Sequence, residues 1–64
     1  MKKYKAVINH KLDYEFESDK ISYTDIINDL IFKLALENIA IEKCWHFEVQ
    51  DIENPNIFWT FIKR

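Results

Sequence analysis

Apolar and polar residues alternate along the start of this chain with the period of a β-strand. Tyr4, Ala6 and Ile8 interleave with Lys3, Lys5 and Val7, and Leu12, Tyr14 and Phe16 interleave with Asp13, Glu15 and Glu17. Period two over both segments predicts two strands. A three-residue loop, Asn9-His10-Lys11, sets Ile8 opposite Leu12, Ala6 opposite Tyr14 and Tyr4 opposite Phe16. The same register opposes Lys5 to Glu15 and Lys3 to Glu17 on the other face, and each such cross-strand ion pair stabilises by roughly 0.2–1 kcal/mol. Two independent patterns therefore agree on one antiparallel hairpin.

The period changes after the turn Ser18-Asp19-Lys20. Tyr23, Ile26, Ile27, Leu30, Ile31 and Leu34 recur at helical spacing and form one wide apolar face. Ser22 is placed as N-cap, with Asp25 three positions on, and Ile21 and Ile26 occupy the positions of a hydrophobic staple. The helix is predicted to run to about Glu37, with Asn38 taking the left-handed position that glycine usually fills. Phe32 and Leu36 lie one turn apart on the side opposite the main stripe, as a small apolar island among Asp25, Asn28, Asp29 and Lys33.

Alternation returns from Ile41 to Gln50. Ile41, Trp45, Phe47 and Val49 share one side and Glu42, Cys44, His46, Glu48 and Gln50 the other, with Lys43 marking a late start or a bulge. Asp51 to Asn56 reads as a loop turning at Asn54-Pro55-Asn56, and Ile57 to Ile62 as the last strand. Ile57, Trp59 and Phe61 are placed inward, although Phe58 and Ile62 compete for that role because the strand is apolar on both faces.

The predicted order is ββαββ in a single domain spanning residues 1–64. The simplest arrangement is α+β: a fully antiparallel four-stranded sheet in spatial order 2-1-3-4, with the helix across one face. A right-handed crossover carries the chain over the first strand, and one sheet face stays uncovered, which antiparallel sheets tolerate.

Composition narrows the functional classes. Sixty-four residues make a domain small enough to need a staple: disulfides, a metal or oligomerisation. Cys44 is the sole cysteine, so no intramolecular disulfide exists, and the Cys and His spacing matches no zinc motif. Oligomerisation is the staple that remains. One free thiol, no signal peptide and no apolar stretch of membrane-spanning length point to the cytoplasm. The net charge of −2 has both signs interspersed, without the basic footprint of a dedicated nucleic-acid binder. Glycine is absent, so tight turns fall to Asn, Asp or His. Lys, Ile, Asn, Phe and Tyr supply 31 of the 64 residues, and their AT-rich codons suggest an AT-rich bacterial genome or one of its phages.

No motif for catalysis, a metal or a nucleotide emerges. Cys44 and His46 share a strand face, but residues i and i+2 stand about 6.5–7 Å apart along the backbone, and the pair lacks an orienting acid and an oxyanion element beyond Glu48. His10 is assigned to its turn. The ladder Asp13, Glu15 and Glu17 faces lysines and reads as a solvated side.

The pattern offers excess apolar surface instead. Contiguous apolar surface on a soluble chain marks an interaction site, and the candidates are Phe32 and Leu36 on the helix, and Phe58 and Ile62, with His46, on the open sheet face. The expected function is a non-enzymatic interaction module, a homodimer, of the kind found among small accessory or inhibitory proteins of phages or mobile elements that bind and occlude a host protein, with no cofactor. The alternative is weak nucleic-acid binding by the open sheet face and Lys2, Lys3, Lys5, Lys63 and Arg64.

Overall fold

A computed structural model describes residues 1–63. The elements are β1 (Lys2–Ile8), β2 (Leu12–Ser18), α1 (Tyr23–Leu36), a short 3₁₀ turn (Ile41–Lys43), β3 (His46–Asp51) and β4 (Phe58–Ile62). The strands form one antiparallel sheet in the order β2-β1-β3-β4, and α1 covers one face. This is the expected ββαββ arrangement of an α+β fold.

The hairpin has the register that apolar and charge alternation select, with Tyr4 opposite Phe16, Lys5 opposite Glu15 and Lys3 opposite Glu17. Its loop turns through left-handed backbone at Asn9 (φ 55°) and His10 (φ 60°) and closes with the Lys11 N–H donating to the Ile8 carbonyl at 3.0 Å. In a chain without glycine these residue types meet that demand at modest cost.

Ser22 caps α1 by accepting from the Asp25 N–H at 3.3 Å, and Asn38 (φ 62°) ends it in the left-handed region. The staple does not form: Ile21 is almost fully exposed, so the hydroxyl cap alone starts the helix. Tyr23 also leaves the buried stripe and stacks on Trp59 with ring centres 4.4 Å apart. Ile26, Ile27, Leu30 and Leu34 pack on Tyr4, Ala6, Ile8, Phe16, Phe47 and Val49 to make the core. Polar ties hold α1 toward the β2 side: the Ser18 hydroxyl donates to Asp29 at 2.6 Å, and Lys33 donates to the Glu17 carbonyl. Burial holds the Tyr4 phenol above its ordinary pKa, with Asp51 adding to the rise and Lys2 opposing it. The Tyr14 phenol is raised by burial first, then by the hydrogen bond and charge of Glu37.

The third strand departs from expectation at its start. Residues 41–43 coil into the 3₁₀ turn, and the strand takes the late start that Lys43 marked rather than a bulge, beginning at His46. That turn resets the parity of residues 44 and 45. Cys44, placed on the open face by alternation, is buried in the core with its thiol 3.4 Å from the Ala40 carbonyl. Trp45, placed inward, is 51% exposed. From His46 the alternation holds, with Phe47 and Val49 inward. The strand continues through Asp51, whose buried carboxylate caps the following loop by accepting from the Glu53 and Asn54 N–H groups at 2.9 and 3.2 Å. Lys2 stands 3.4 Å from its other oxygen.

Candidate functional site

The sheet faces differ in what covers them. On the helix side, β4 contributes Trp59 opposite Val49 and Phe61 opposite Phe47. Trp59 is half-buried against the core, whereas Phe61 is exposed, because α1 lies toward β2 and leaves this edge thinly covered. On the open side, β4 contributes Phe58 opposite Gln50, Thr60 opposite Glu48 and Ile62 opposite His46. Phe58 is 71% and Ile62 53% exposed. Both parities of β4 therefore present apolar surface, and the inward placement of Trp59 and Phe61 is the one the sheet adopts.

The two sheet edges have opposite character. β2 carries Asp13, Glu15 and Glu17, whereas Phe58–Ile62 contains no charged residue, no proline and no glycine. The backbone hydrogen bonds at the ends of β4 reveal its phase. The Asp51 N–H donates to the Ile57 carbonyl and the Lys63 N–H to the Trp45 carbonyl, each at 3.0 Å. Odd-numbered residues thus turn their amides toward β3, and in an antiparallel ladder the alternate residues turn theirs away. Phe58, Thr60 and Ile62 direct their N–H and C=O groups to the outer edge.

Phe32 and Leu36 are 64% and 67% exposed on the outer side of α1. They occupy the helix layer, on the far side of the core from Phe58 and Ile62, so the expected site residues form two separate surfaces. His46 joins the second, beside Ile62, but it is 9% exposed rather than solvated. Its burial comes from residues that periodicity does not bring together. His10 stacks on it with ring centres 4.1 Å apart, and Trp45 meets both rings edge-on at 5.5 and 5.8 Å. Asn9 holds this arrangement in place. Its side-chain oxygen accepts from the Trp45 and His46 N–H groups at 2.9 and 3.2 Å, its amide donates to the Lys43 carbonyl at 2.9 Å, and its backbone N–H donates to the His46 carbonyl at 2.8 Å. No spacing along the chain signals this contact, which comes from the β1–β2 turn lying beside the start of β3 in the sheet.

A depression of about 280 Å³ on the open face is bordered by Lys5, Val7, Glu48, Gln50 and Phe58. Of the basic residues expected to meet nucleic acid, Lys2 pairs with Asp51, while Lys3 and Lys5 stand in register opposite Glu17 and Glu15, whose charges offset theirs on that face. Arg64 lies outside the described residues. Among the described residues no helix is long and apolar enough to cross a membrane. Comparison of the chain with models of protein families, with curated proteins and with solved structures finds no match.

Proposed function

We propose that this chain is a non-enzymatic interaction module whose docking element is the β4 edge, and that a second copy of the chain is its first occupant. One observation carries the reading: an outermost strand with outward-directed amides, apolar on both faces and free of charge. Soluble proteins blunt such edges with charge, proline or a bulge, because an unprotected edge recruits further strands. Here the edge is self-complementary. Antiparallel pairing about a twofold axis through Thr60 sets Phe58 opposite Ile62 of the partner copy and Trp59 opposite Phe61 on the other face. All three outward N–H groups of each strand then find carbonyls. Such an isologous contact closes on itself, and the acidic β2 edges repel one another, so assembly stops at the dimer.

The pairing supplies the staple that a chain of this size requires. The reduced Cys44, buried and single, suits a reducing compartment such as the cytoplasm. Phe32 and Leu36 stay outside the twofold contact and are the surface left for a different protein, whose occlusion is the accessory or inhibitory role we favour. Sedimentation equilibrium across a dilution series tests the assembly: a reversible monomer–dimer transition supports it, and a monomer at every concentration removes it.

A further inference from the structure

Two histidines and a carboxylate that are far apart in the sequence converge where the hairpin turn meets the start of β3. His10, His46 and Glu48 each offer a ligand atom, and these atoms lie within 4.8 Å of one another. The Glu48 carboxylate oxygen stands 3.3 Å from Nδ1 of His10 and 3.8 Å from Nδ1 of His46. Ligands held at about 2.0–2.1 Å around a tetrahedral ion stand roughly 3.3 Å from each other, so the spacing already approximates a coordination edge. A second, independent feature points the same way. Nδ1 of His46 is buried and has no hydrogen-bond partner among the described residues, although buried polar atoms are nearly always satisfied.

We propose that His10, His46 and Glu48 form a site for a divalent transition-metal ion, zinc above all. Two imidazoles and a single carboxylate suit zinc, copper or nickel, whereas calcium and magnesium demand a shell of oxygens. The ion occupies the space between Nδ1 of His46 and the Glu48 oxygen, giving the buried nitrogen its missing partner. The exposed His10 ring turns about its side-chain torsions to complete the triad. The backbone needs no rearrangement, because Asn9 already fixes the turn against the chain at residues 43–46. Three protein ligands leave a fourth position for water or a partner's side chain. The ion would clamp the β1–β2 turn to β3, a cross-link between segments 36 residues apart, as the His10–His46 numbering shows. The site belongs to the single-chain fold and stands whether or not β4 pairs.

The test uses the full chain without a polyhistidine tag, stripped with chelator and titrated with zinc by calorimetry. We expect one ion per chain. His10→Asn keeps a residue tolerant of left-handed backbone and Glu48→Gln keeps the side-chain shape, so both should fold. Loss of an outer-shell partner alone weakens metal sites by about 10–100-fold, so each variant should bind at least about tenfold more weakly. Without metal both variants should still unfold in one cooperative transition, Glu48→Gln near the parent and His10→Asn at a somewhat lower midpoint because it loses the stack on His46. Copper should quench Trp45, which borders both imidazoles, in the parent chain and not in Trp45→Phe, while calcium at equal concentration should produce no heat. Variants that bind zinc as tightly as the parent, or a parent chain that takes up no stoichiometric ion, would overturn the site.

Discussion

Replacing Thr60 with lysine should act in opposite directions on the folded chain and on its dimer. Thr60 is exposed on β4 and lies opposite Glu48 of β3. Within one chain the introduced ammonium gains an opposite-charge neighbour, worth roughly 0.2–1 kcal/mol, which offsets the loss of a residue with higher β-propensity on a scale spanning about 1 kcal/mol. The monomer should therefore melt within a few degrees of the parent. Across the proposed twofold axis the two introduced lysines face each other. With the ammonium groups splayed to about 7 Å, their repulsion lies between ~0.6 kcal/mol at the dielectric of water and ~2.4 kcal/mol at an effective value of 20. Loss of the Thr–Thr pair adds roughly 0.2–1 kcal/mol. The sum, roughly 1–3 kcal/mol, weakens dimerisation by roughly 5- to 150-fold. Sedimentation equilibrium measures that ratio, and dilute thermal melts measure the monomer. Salt supplies an internal check. The Debye length shrinks from about 10 Å at 0.1 M to about 3 Å at 1 M, so concentrated salt should restore much of the lost affinity. Thr60→Val, uncharged and β-branched, should dimerise as well as the parent. An unchanged dimer constant in Thr60→Lys would move the interface off β4, and a collapsed melting transition would mean that Thr60 is not on an open edge.

Other perturbations separate the core from the surface. Phe47 is fully buried, and Phe47→Ala should cost about 3–5 kcal/mol, against about 3–10 kcal/mol expected for a domain of this length; denaturant titration should show a large fall in the midpoint, and a small one would place the residue outside the core. Phe32→Lys combined with Leu36→Lys should leave the unfolding transition intact while abolishing capture of any heterologous partner. A loss of folded structure in that double variant would assign both residues to the core. Burial raises the pKa of Tyr4 above the ordinary tyrosine value of 10.0, so the folded state favours the neutral phenol. Its contribution is complete below about pH 10, the unfolded-state value, and is lost as pH climbs from there through the raised folded-state value. Tyr4→Phe should show a shallower decline in stability above pH 10 than the parent, and equal slopes would contradict this assignment.

Much of the fold was legible in the sequence because its determinants are local or periodic. The hairpin register followed from alternation together with Lys3–Glu17 and Lys5–Glu15, since slipping an alternating strand by one residue exchanges its faces. The helix start at Ser22 and its left-handed end at Asn38 are backbone demands that particular residue types meet. Strand order followed from the helix returning the chain so that the third strand starts antiparallel to the first, which makes a fully antiparallel sheet the simplest arrangement. The sequence by itself thus determined the elements, their pairing and the apolar excess at Phe32, Leu36, Phe58 and Ile62.

Tertiary structure decided everything that depends on where a periodic pattern breaks or on which distant segments touch. The 3₁₀ turn at Ile41–Lys43 resets the parity before β3, so Cys44 goes inside and Trp45 outside; Lys43 marks the break in the alternation, but a two-residue period does not say on which side residues 44 and 45 then fall. The position of α1 over the β2 side leaves β4, already apolar on both faces by its own residues, thinly covered, and that lack of cover is a property of helix placement that the strand does not encode. The meeting of His10 with His46 and Glu48 arises only because β1 pairs with both β2 and β3, which brings the hairpin turn against the start of a strand much later in the chain. Chemistry built from such contacts has no spacing along the chain to betray it, because the distance that matters runs across the sheet.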